Sequence, residues 1–183
     1  MSRYLRLAIL VLLVSCGGDR RAPSNLNDAC AILDERPKYL KSLQRTEDRW
    51  GVPVAVQMAT IYQESKFIGN ARTPHEYALG IIPLGRQSSA YGYSQALDAT
   101  WDWYETSTGR WGADRDDFGD SIDFIGWYND QSYRRNGIDR ADTYSLYLAY
   151  HEGHGGYSRA SYRSRPWLTR RSAAFMPSAL PSS

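Results

Sequence analysis

The chain has 183 residues, of which 42% are hydrophobic and 23% are charged, and its formal net charge is +2. This length suits one domain, and the composition is that of a folded globular protein rather than a disordered one. The balanced charge argues against the basic surface that nucleic-acid-binding proteins usually carry, so we expect no nucleic-acid partner. The 14 Tyr and 6 Trp residues suit a groove that holds sugars, although these residues also serve in the core and rim of any globular protein.

Residues 1–15 have the pattern of a secretory signal. Arg3 and Arg6 give a positive start, and the apolar run from Leu7 to Val14 follows. This run is too short to cross a bilayer as a helix. We therefore expect these residues to be removed.

The next feature is the tetrapeptide Leu13-Val14-Ser15-Cys16, which resembles a bacterial lipobox. In that signal the Cys becomes the first mature residue and carries the lipid, and a following residue other than Asp, here Gly17, favours the outer membrane. The resemblance implies a lipid anchor on Cys16 that holds the protein in the cell envelope, at the outer membrane and facing the periplasm. Cys30 is then expected to be a buried or free thiol. The alternative is an ordinary cleaved signal, with Cys16 paired to Cys30 in a disulfide.

The remainder divides into three segments. Residues 16–27 are polar, with Gly, Pro and Ser, and predict a tether; residues 28–172 predict one mainly α-helical domain, and residues 173–183 a loose tail. Apolar spacing predicts helices over 35–50, from Pro53 onward, from a cap at Asp98 onward, over 121–133 and over 141–152. Gly51 suits the end of the first of these helices. The long stretch 68–95 is predicted as a loop, and such a loop in a compact domain is more often functional than idle.

Glu64 is the candidate for chemistry. It lies near the C-terminal end of the helix that begins at Pro53, and it follows Ile61 by three residues and Gln57 by seven, on or near the face that points at the core or a cleft. The negative end of the helix dipole and partial burial both raise the pKa of a carboxyl there. A carboxylic acid that is protonated near neutral pH can donate its proton to a glycosidic oxygen. A lone Glu at a helix end is otherwise most often a solvated side chain.

Three ordered motifs, spread over roughly residues 35–160, resemble the lysozyme-like domain of soluble lytic transglycosylases. The first comprises Glu64, Ser65, Phe67, Ala71, Thr73 and Pro74, with Thr73 where the family has Ser. The second is Gly92-Tyr93-Ser94-Gln95 with Thr100, in which Tyr93-Ser94 replaces the family's Leu-Met. The third is Ala149-Tyr150-His151-Glu152-Gly153, with His151 in place of Asn.

The resemblance implies a mainly α, lysozyme-like single domain with a long loop between the catalytic helix and the Gly-Tyr-Ser-Gln motif. It implies a lytic transglycosylase whose substrate is the peptidoglycan glycan strand, cleaved between N-acetylmuramic acid (MurNAc) and N-acetylglucosamine (GlcNAc) to leave 1,6-anhydroMurNAc ends. Glu64 is then the single catalytic acid and base, and the Tyr150 hydroxyl bonds to its carboxyl and orients it. The residues expected to bind substrate are Ser65, Thr73, Tyr91, Gly92, Tyr93, Gln95, His151 and Glu152. The reaction needs no cofactor or metal, and His151, Glu152 and His154 do not have metalloprotease spacing.

Three alternatives remain open at this stage. A lysozyme-type hydrolase on the same fold would need a second acid such as Glu76, Asp98 or Asp102. A non-catalytic envelope protein would bind glycan without cleaving it. A cleavage subunit of a secretion or transfer machine would add other envelope proteins as partners. The long loop, with His75, Glu76, Tyr77, Arg86 and Gln87, suits either a lid or cleft wall that restricts which strands enter, or a plain surface loop.

Overall fold

The computed structural model describes residues 20–78 and 82–174. This part contains seven α-helices and one two-stranded sheet, in the order α1 (Ala29–Glu35), α2 (Pro37–Trp50), α3 (Val54–Ser65), β1 (His75–Ala78), β2 (Ile82–Arg86), α4 (Asp98–Thr108), α5 (Phe118–Asn136), α6 (Thr143–Ser158) and α7 (Pro166–Ala173). A 3₁₀ turn, Ser161–Ser164, joins α6 to α7. The predicted mainly α-helical fold is confirmed.

Local sequence explains where most of these helices begin and end. The Asp28 carboxylate caps α1 by accepting from the N–H of Cys30 at 2.8 Å and of Ala31 at 3.2 Å. Pro37 stands in the first turn of α2, where its missing N–H costs no hydrogen bond. Gly51 ends α2 with φ of 70°, as its position in the sequence predicted.

Helix α5 lies at the centre of the domain. It packs against α2, α3, α4 and α6, and every residue from 121 to 130 is buried. Gly126 permits the close approach of α2, because a Cβ at this position would lie 2.3 Å from Cγ2 of Thr46 and 2.9 Å from Cδ1 of Trp50. Helices α2, α3, α4 and α6 are therefore arranged around α5 as a common support.

An aromatic cluster joins the end of α3 to α2 and α5. The rings of Tyr39 and Phe118 are parallel, with centroids 3.4 Å apart. Phe67, two residues beyond α3, stacks on Tyr39 and is 1% exposed. Burial of these rings fixes the path of the chain just after Glu64.

The stretch 68–95 differs from the predicted loop, because it contains an antiparallel hairpin. His75 pairs with Arg86 and Ala78 with Ile82, and the register is irregular between Glu76 and Tyr77. The strands are short and β2 contains Pro and Gly. The sequence therefore lacks the alternation of apolar and polar residues that predicts a strand. The predicted cap at Asp98 is also wrong: Leu97 occupies the cap position, and Asp98 is the first residue of α4 and pairs with Arg115 at 2.7 Å.

The predicted tether lies partly on the domain. The carbonyl of Arg20 accepts from Gly69 N at 3.1 Å, and the Ser24 hydroxyl donates to Glu35 at 2.7 Å. Cys30 is exposed with a free thiol, whereas Cys16 and most of the predicted tail, 175–183, lie outside the described residues. Among the helices described, no segment is both long and apolar enough to cross a membrane.

Candidate active site

Glu64 stands in the last turn of α3, directly before the residue that ends the helix. The chain then turns sharply, because Lys66 and Phe67 both adopt left-handed conformations, with φ of 54° and 59°. Such backbone costs energy for residues that carry a Cβ and persists only where the surroundings enforce it. Here the enforcing contact is the buried ring of Phe67, which thereby holds the end of α3 in place.

The carboxyl of Glu64 is partly withdrawn from water. The residue is half-buried, but its Oε1 atom is buried and has no hydrogen-bond partner among the described residues. Burial penalises the charged form and raises the pKa of Glu64 to about 7. A hydrogen bond from Tyr147 and the positive charges of Arg171 and Lys66 act in the opposite direction. The result is a carboxyl that can both give and take a proton near neutral pH.

Two tyrosines of α6 face this carboxyl. The hydroxyl of Tyr147 bonds to Glu64, and burial together with the Glu64 charge raises the pKa of Tyr147 far above its ordinary value, so it stays a neutral donor. Tyr150 stands one turn further along, and its hydroxyl donates to the carbonyl of Ser94 at 2.7 Å. The contact predicted for Tyr150 is therefore made by Tyr147. Residues three apart share a helix face, and the sequence does not say which of them reaches Glu64.

The Gly-Tyr-Ser-Gln motif forms a tight turn behind these groups. The Gln95 amide donates to the carbonyls of Ala71 and Gly92, at 3.0 and 2.8 Å. Gly92 has φ of 78°, and a Cβ at this position would lie 1.9 Å from the carbonyl oxygen of Arg115. Glycine is required here because the backbone of residue 115 passes directly over it. Through the Tyr150–Ser94 bond, this turn is tied to α6 beside the carboxyl.

Comparison with known families decides the assignment. A family model described as the transglycosylase SLT domain matches residues 4–179. The chain belongs to this family. No curated protein matches the chain. The match confirms the resemblance to soluble lytic transglycosylases, and with the helical structure it confirms a lysozyme-like SLT domain. Family membership also supports a transglycosylase enzyme that acts on peptidoglycan.

Several residues predicted to bind substrate make internal contacts in this SLT domain. Tyr93 is 1% exposed and bonds to the hydroxyl of Tyr39 at 3.2 Å, so it belongs to the core and not to a sugar site. Ser65 is buried, and its hydroxyl donates to the carbonyl of Ile61. The Thr73 hydroxyl donates to the carbonyl of Ser88 at 3.0 Å. For these three side chains the contacts support the fold of the SLT domain.

Tyr91 is half-buried, and its hydroxyl donates to Asp116 at 3.0 Å. The guanidinium of Arg72 lies 4.0 Å from the centre of its ring. Both interactions hold the ring against the domain, so this predicted sugar contact is also engaged internally.

The remaining predicted contacts lie near the end of α6. Glu152 pairs with Arg165 at 2.8 Å and accepts from the Ser161 hydroxyl. These contacts lower the pKa of Glu152 and make its carboxylate a link between α6 and the start of α7. His151 is exposed, and its ring meets Trp167 edge-on with centroids 5.1 Å apart. Gly153, with φ of 72°, kinks α6 directly after His151 and Glu152.

The acids considered for a two-carboxylate mechanism are paired with a cation or exposed to solvent. Asp98 is engaged by Arg115, and Asp102 and Glu76 are exposed. The charged groups with the largest effect on Glu64 are the cations Arg171 and Lys66. No group of three potential metal ligands occurs in 20–78 or 82–174.

The exposed residues of the hairpin contact the segment that leads from α3 to it. His75, Glu76, Arg86 and Gln87 are exposed, and Arg86 donates to the carbonyl of Thr73 at 2.6 Å. The hairpin is thereby tied back to the segment that follows α3.

Sequence reasoning missed Tyr147, Lys66 and Arg171. Tyr147 could have been proposed as a neighbour of Glu64, because it lies on the same face of the predicted helix as Tyr150. Lys66 adjoins the Glu-Ser pair, so its proximity could have been inferred. No sequence pattern predicts that Arg171 lies near Glu64, since it stands far from Glu64 in the chain.

Proposed function

We propose that the protein is a lytic transglycosylase that cleaves the β-1,4 bond between MurNAc and GlcNAc in peptidoglycan. Glu64 is its single general acid and base, and the product carries a 1,6-anhydroMurNAc end. The observation that carries this proposal is the half-buried carboxyl of Glu64, whose pKa is about 7. Membership in the SLT family supplies the substrate class.

In the first step, protonated Glu64 donates its proton to the glycosidic oxygen. The bond from C1 of MurNAc to this oxygen breaks, GlcNAc leaves with a new hydroxyl, and the N-acetyl group of MurNAc stabilises the positive charge at C1. In the second step, ionised Glu64 removes the proton of the C6 hydroxyl while this oxygen attacks C1. The anhydro ring closes, Glu64 regains its proton, and no water is consumed.

The surroundings of Glu64 suit both steps. Burial favours the protonated form that the first step needs, whereas the Tyr147 hydroxyl, Arg171 and Lys66 favour the ionised form that the second step needs. A pKa near the working pH keeps both forms accessible. Tyr150 contributes by tying the Gly-Tyr-Ser-Gln turn to α6 through the Ser94 carbonyl.

A single carboxyl is sufficient for this reaction but not for most hydrolases. Glycosidases commonly place two carboxyl groups about 5 to 9.5 Å apart across the bond. Asp98 is engaged by Arg115, and Glu76 and Asp102 are solvated. These surroundings favour transglycosylation over hydrolysis.

The test is a digest of purified peptidoglycan with the soluble form that lacks residues 1–16, followed by mass spectrometry of the released muropeptides. Glu64→Gln is the variant, and Glu76→Gln is the matched control because it makes the same change at an exposed position. We expect products one water lighter than hydrolysis products from the wild type and the control, and none from Glu64→Gln. Products with reducing ends would identify a hydrolase instead. A folded wild-type protein that releases nothing would contradict enzymatic activity on purified peptidoglycan.

We also propose a lipid anchor on Cys16 at the outer membrane. The support is the Leu-Val-Ser-Cys sequence. Contacts with the domain begin soon after it, since Arg20 pairs with Asp116 at 2.9 Å. Four residues of extended chain span at most about 14 Å, so an anchored Cys16 would hold the domain against the membrane surface.

Labelling of cells with a tagged fatty acid tests this anchor. Cys16→Ser should abolish both labelling and recovery with the outer membrane, whereas Cys30→Ser should change neither. Label that persists in Cys16→Ser would place the modification elsewhere.

A further inference from the structure

Arg171 connects the last helix of the domain to the helix that carries Glu64. Its Nε donates to Oε1 of Gln63 at 2.5 Å, and its Nη2 donates to the Gln63 carbonyl at 2.7 Å. That carbonyl belongs to the last turn of α3, whose carbonyls lack partners within the helix. One guanidinium therefore binds both the side chain and the main chain of the residue that precedes Glu64.

The position of Arg171 is set by the packing of α7. Leu168 and Ser172 are fully buried on the inner side of this helix. Leu168 belongs to the same apolar cluster as Tyr147 and Leu148 of α6. The ion pair between Glu152 and Arg165 ties the start of α7 to α6 as well. Helices α6 and α7 thus form a paired support that brings Tyr147 and Arg171 to the end of α3 together.

The charge of Arg171 is also placed where it acts on Glu64. A cation at the C-terminal end of a helix interacts favourably with the helix dipole. In 20–78 and 82–174, neither Arg171 nor Lys66 makes an ion pair with a carboxylate within 4 Å. Among the described residues, no close carboxylate therefore cancels the charge of Arg171.

We propose that Arg171 is a positioning residue for Glu64: it clamps the last turn of α3 through Gln63 and presents its charge to the catalytic carboxyl. This inference rests on the proposed role of Glu64. It makes α7, which carries no family motif, a part of the catalytic apparatus.

The electrostatic neighbours of Glu64 give the expected sign of a pH effect. From α6, Tyr147 and Tyr150 face the carboxyl, with Tyr128 of α5 behind Tyr150 at 5.1 Å between ring centroids. Lys66 follows Glu64 in the chain, and Arg171 comes from α7. Both cations lower the pKa of Glu64. Removal of the Arg171 charge therefore raises this pKa, and activity that needs protonated Glu64 persists to higher pH.

Two substitutions separate the clamp from the charge. Arg171→Lys keeps the charge but replaces the two-pronged guanidinium with a single ammonium. Arg171→Gln keeps an N–H donor and removes the charge. Arg170→Ala is the matched control, since it removes an arginine from an exposed position on the same helix. Initial rates of muropeptide release are measured against pH for the soluble protein, with thermal unfolding of each variant.

We expect the optimal rate to fall about 10- to 100-fold in Arg171→Lys and Arg171→Gln, because small displacements of a catalytic group have effects of this size. The alkaline limb of the pH profile should move to higher pH only in Arg171→Gln. Arg170→Ala should match the wild type in both measurements. Rates equal to the control, or an alkaline limb that is the same in all variants, would overturn the proposal. If Glu64→Gln is itself active, the proposed function fails; if Glu64→Gln is inactive while the Arg171 variants behave as wild type, only this inference fails.

Discussion

Replacing Glu64 with Gln should stabilise the folded protein above neutral pH and change little at acid pH. Folding raises the pKa of Glu64 from 4.5 to about 7, mainly through burial. Between these pH values the folded protein holds a proton that the unfolded chain has lost, so the free energy of unfolding falls as pH rises through this window. Gln cannot ionise, so the free energy of unfolding of the variant does not fall with pH for this reason.

The magnitude follows from the same values. A change from 4.5 to about 7 corresponds to about 3 kcal/mol, at about 1.4 kcal/mol per pKa unit. Because Glu64 is only half-buried, solvent screens part of this energy, and we expect about 2 kcal/mol. The stability difference between Glu64→Gln and the wild type should grow from pH 4.5 to pH 7 and stay constant above that.

Urea unfolding followed by circular dichroism and tryptophan fluorescence, at several pH values from 4.5 to 8.5, measures this difference. Glu152→Gln is a control of opposite sign, because its hydrogen bonds and its ion pair with Arg165 lower the pKa of Glu152. That variant should be less stable than the wild type by a constant amount across this pH range, because the gap closes only below pH 4.5, as the pH falls through the lowered pKa. A Glu64→Gln difference that does not vary with pH would refute the raised pKa and remove the main support for Glu64 as the acid.

Other substitutions test the surroundings of the site and the core. Tyr147→Phe removes the hydroxyl bonded to Glu64 and should lower the rate of muropeptide release about tenfold or more while the alkaline limb moves to higher pH; an unchanged profile would exclude the orienting role. Gly92→Ala should lower the free energy of unfolding by about 3 kcal/mol, measured by urea unfolding, because φ is 78° and the new Cβ would clash with the carbonyl of Arg115. Asp123→Ala should cost about 3 to 5 kcal/mol in the same assay, since this buried carboxylate accepts from Trp50 and Tyr104 at 3.0 and 2.6 Å; a loss below about 1 kcal/mol would contradict that reasoning.

The Tyr93-Ser94 pair shows how a departure from the family pattern is accommodated. Tyr93 packs edge-on against the stacked rings of Tyr39 and Phe118, with its hydroxyl bonded to that of Tyr39. The ring lies so close to Gly69 that a Cβ there would be 2.9 Å from it. The substitution therefore changes the support of the site rather than a surface open to sugar.

The sequence determined the features that depend on short stretches of chain. Gly51 stops α2 because it accepts a left-handed conformation without a steric penalty, and the helix that carries Glu64 follows Pro53 directly. The position of Glu64 at the end of its helix could be read from apolar spacing alone. Family membership could likewise be inferred from motifs in which each residue stands at a fixed distance from the next.

Tertiary structure alone decided which side chains meet around Glu64. Tyr147 and Tyr150 share one face of α6, and only the packing of α6 beside α3 determines which hydroxyl reaches the carboxyl. Arg171 lies 108 residues from Gln63 in the chain, and no local pattern encodes a contact across that separation. The pKa of Glu64 depends on how much water its neighbours exclude, which is a property of the assembled helices and not of any single segment.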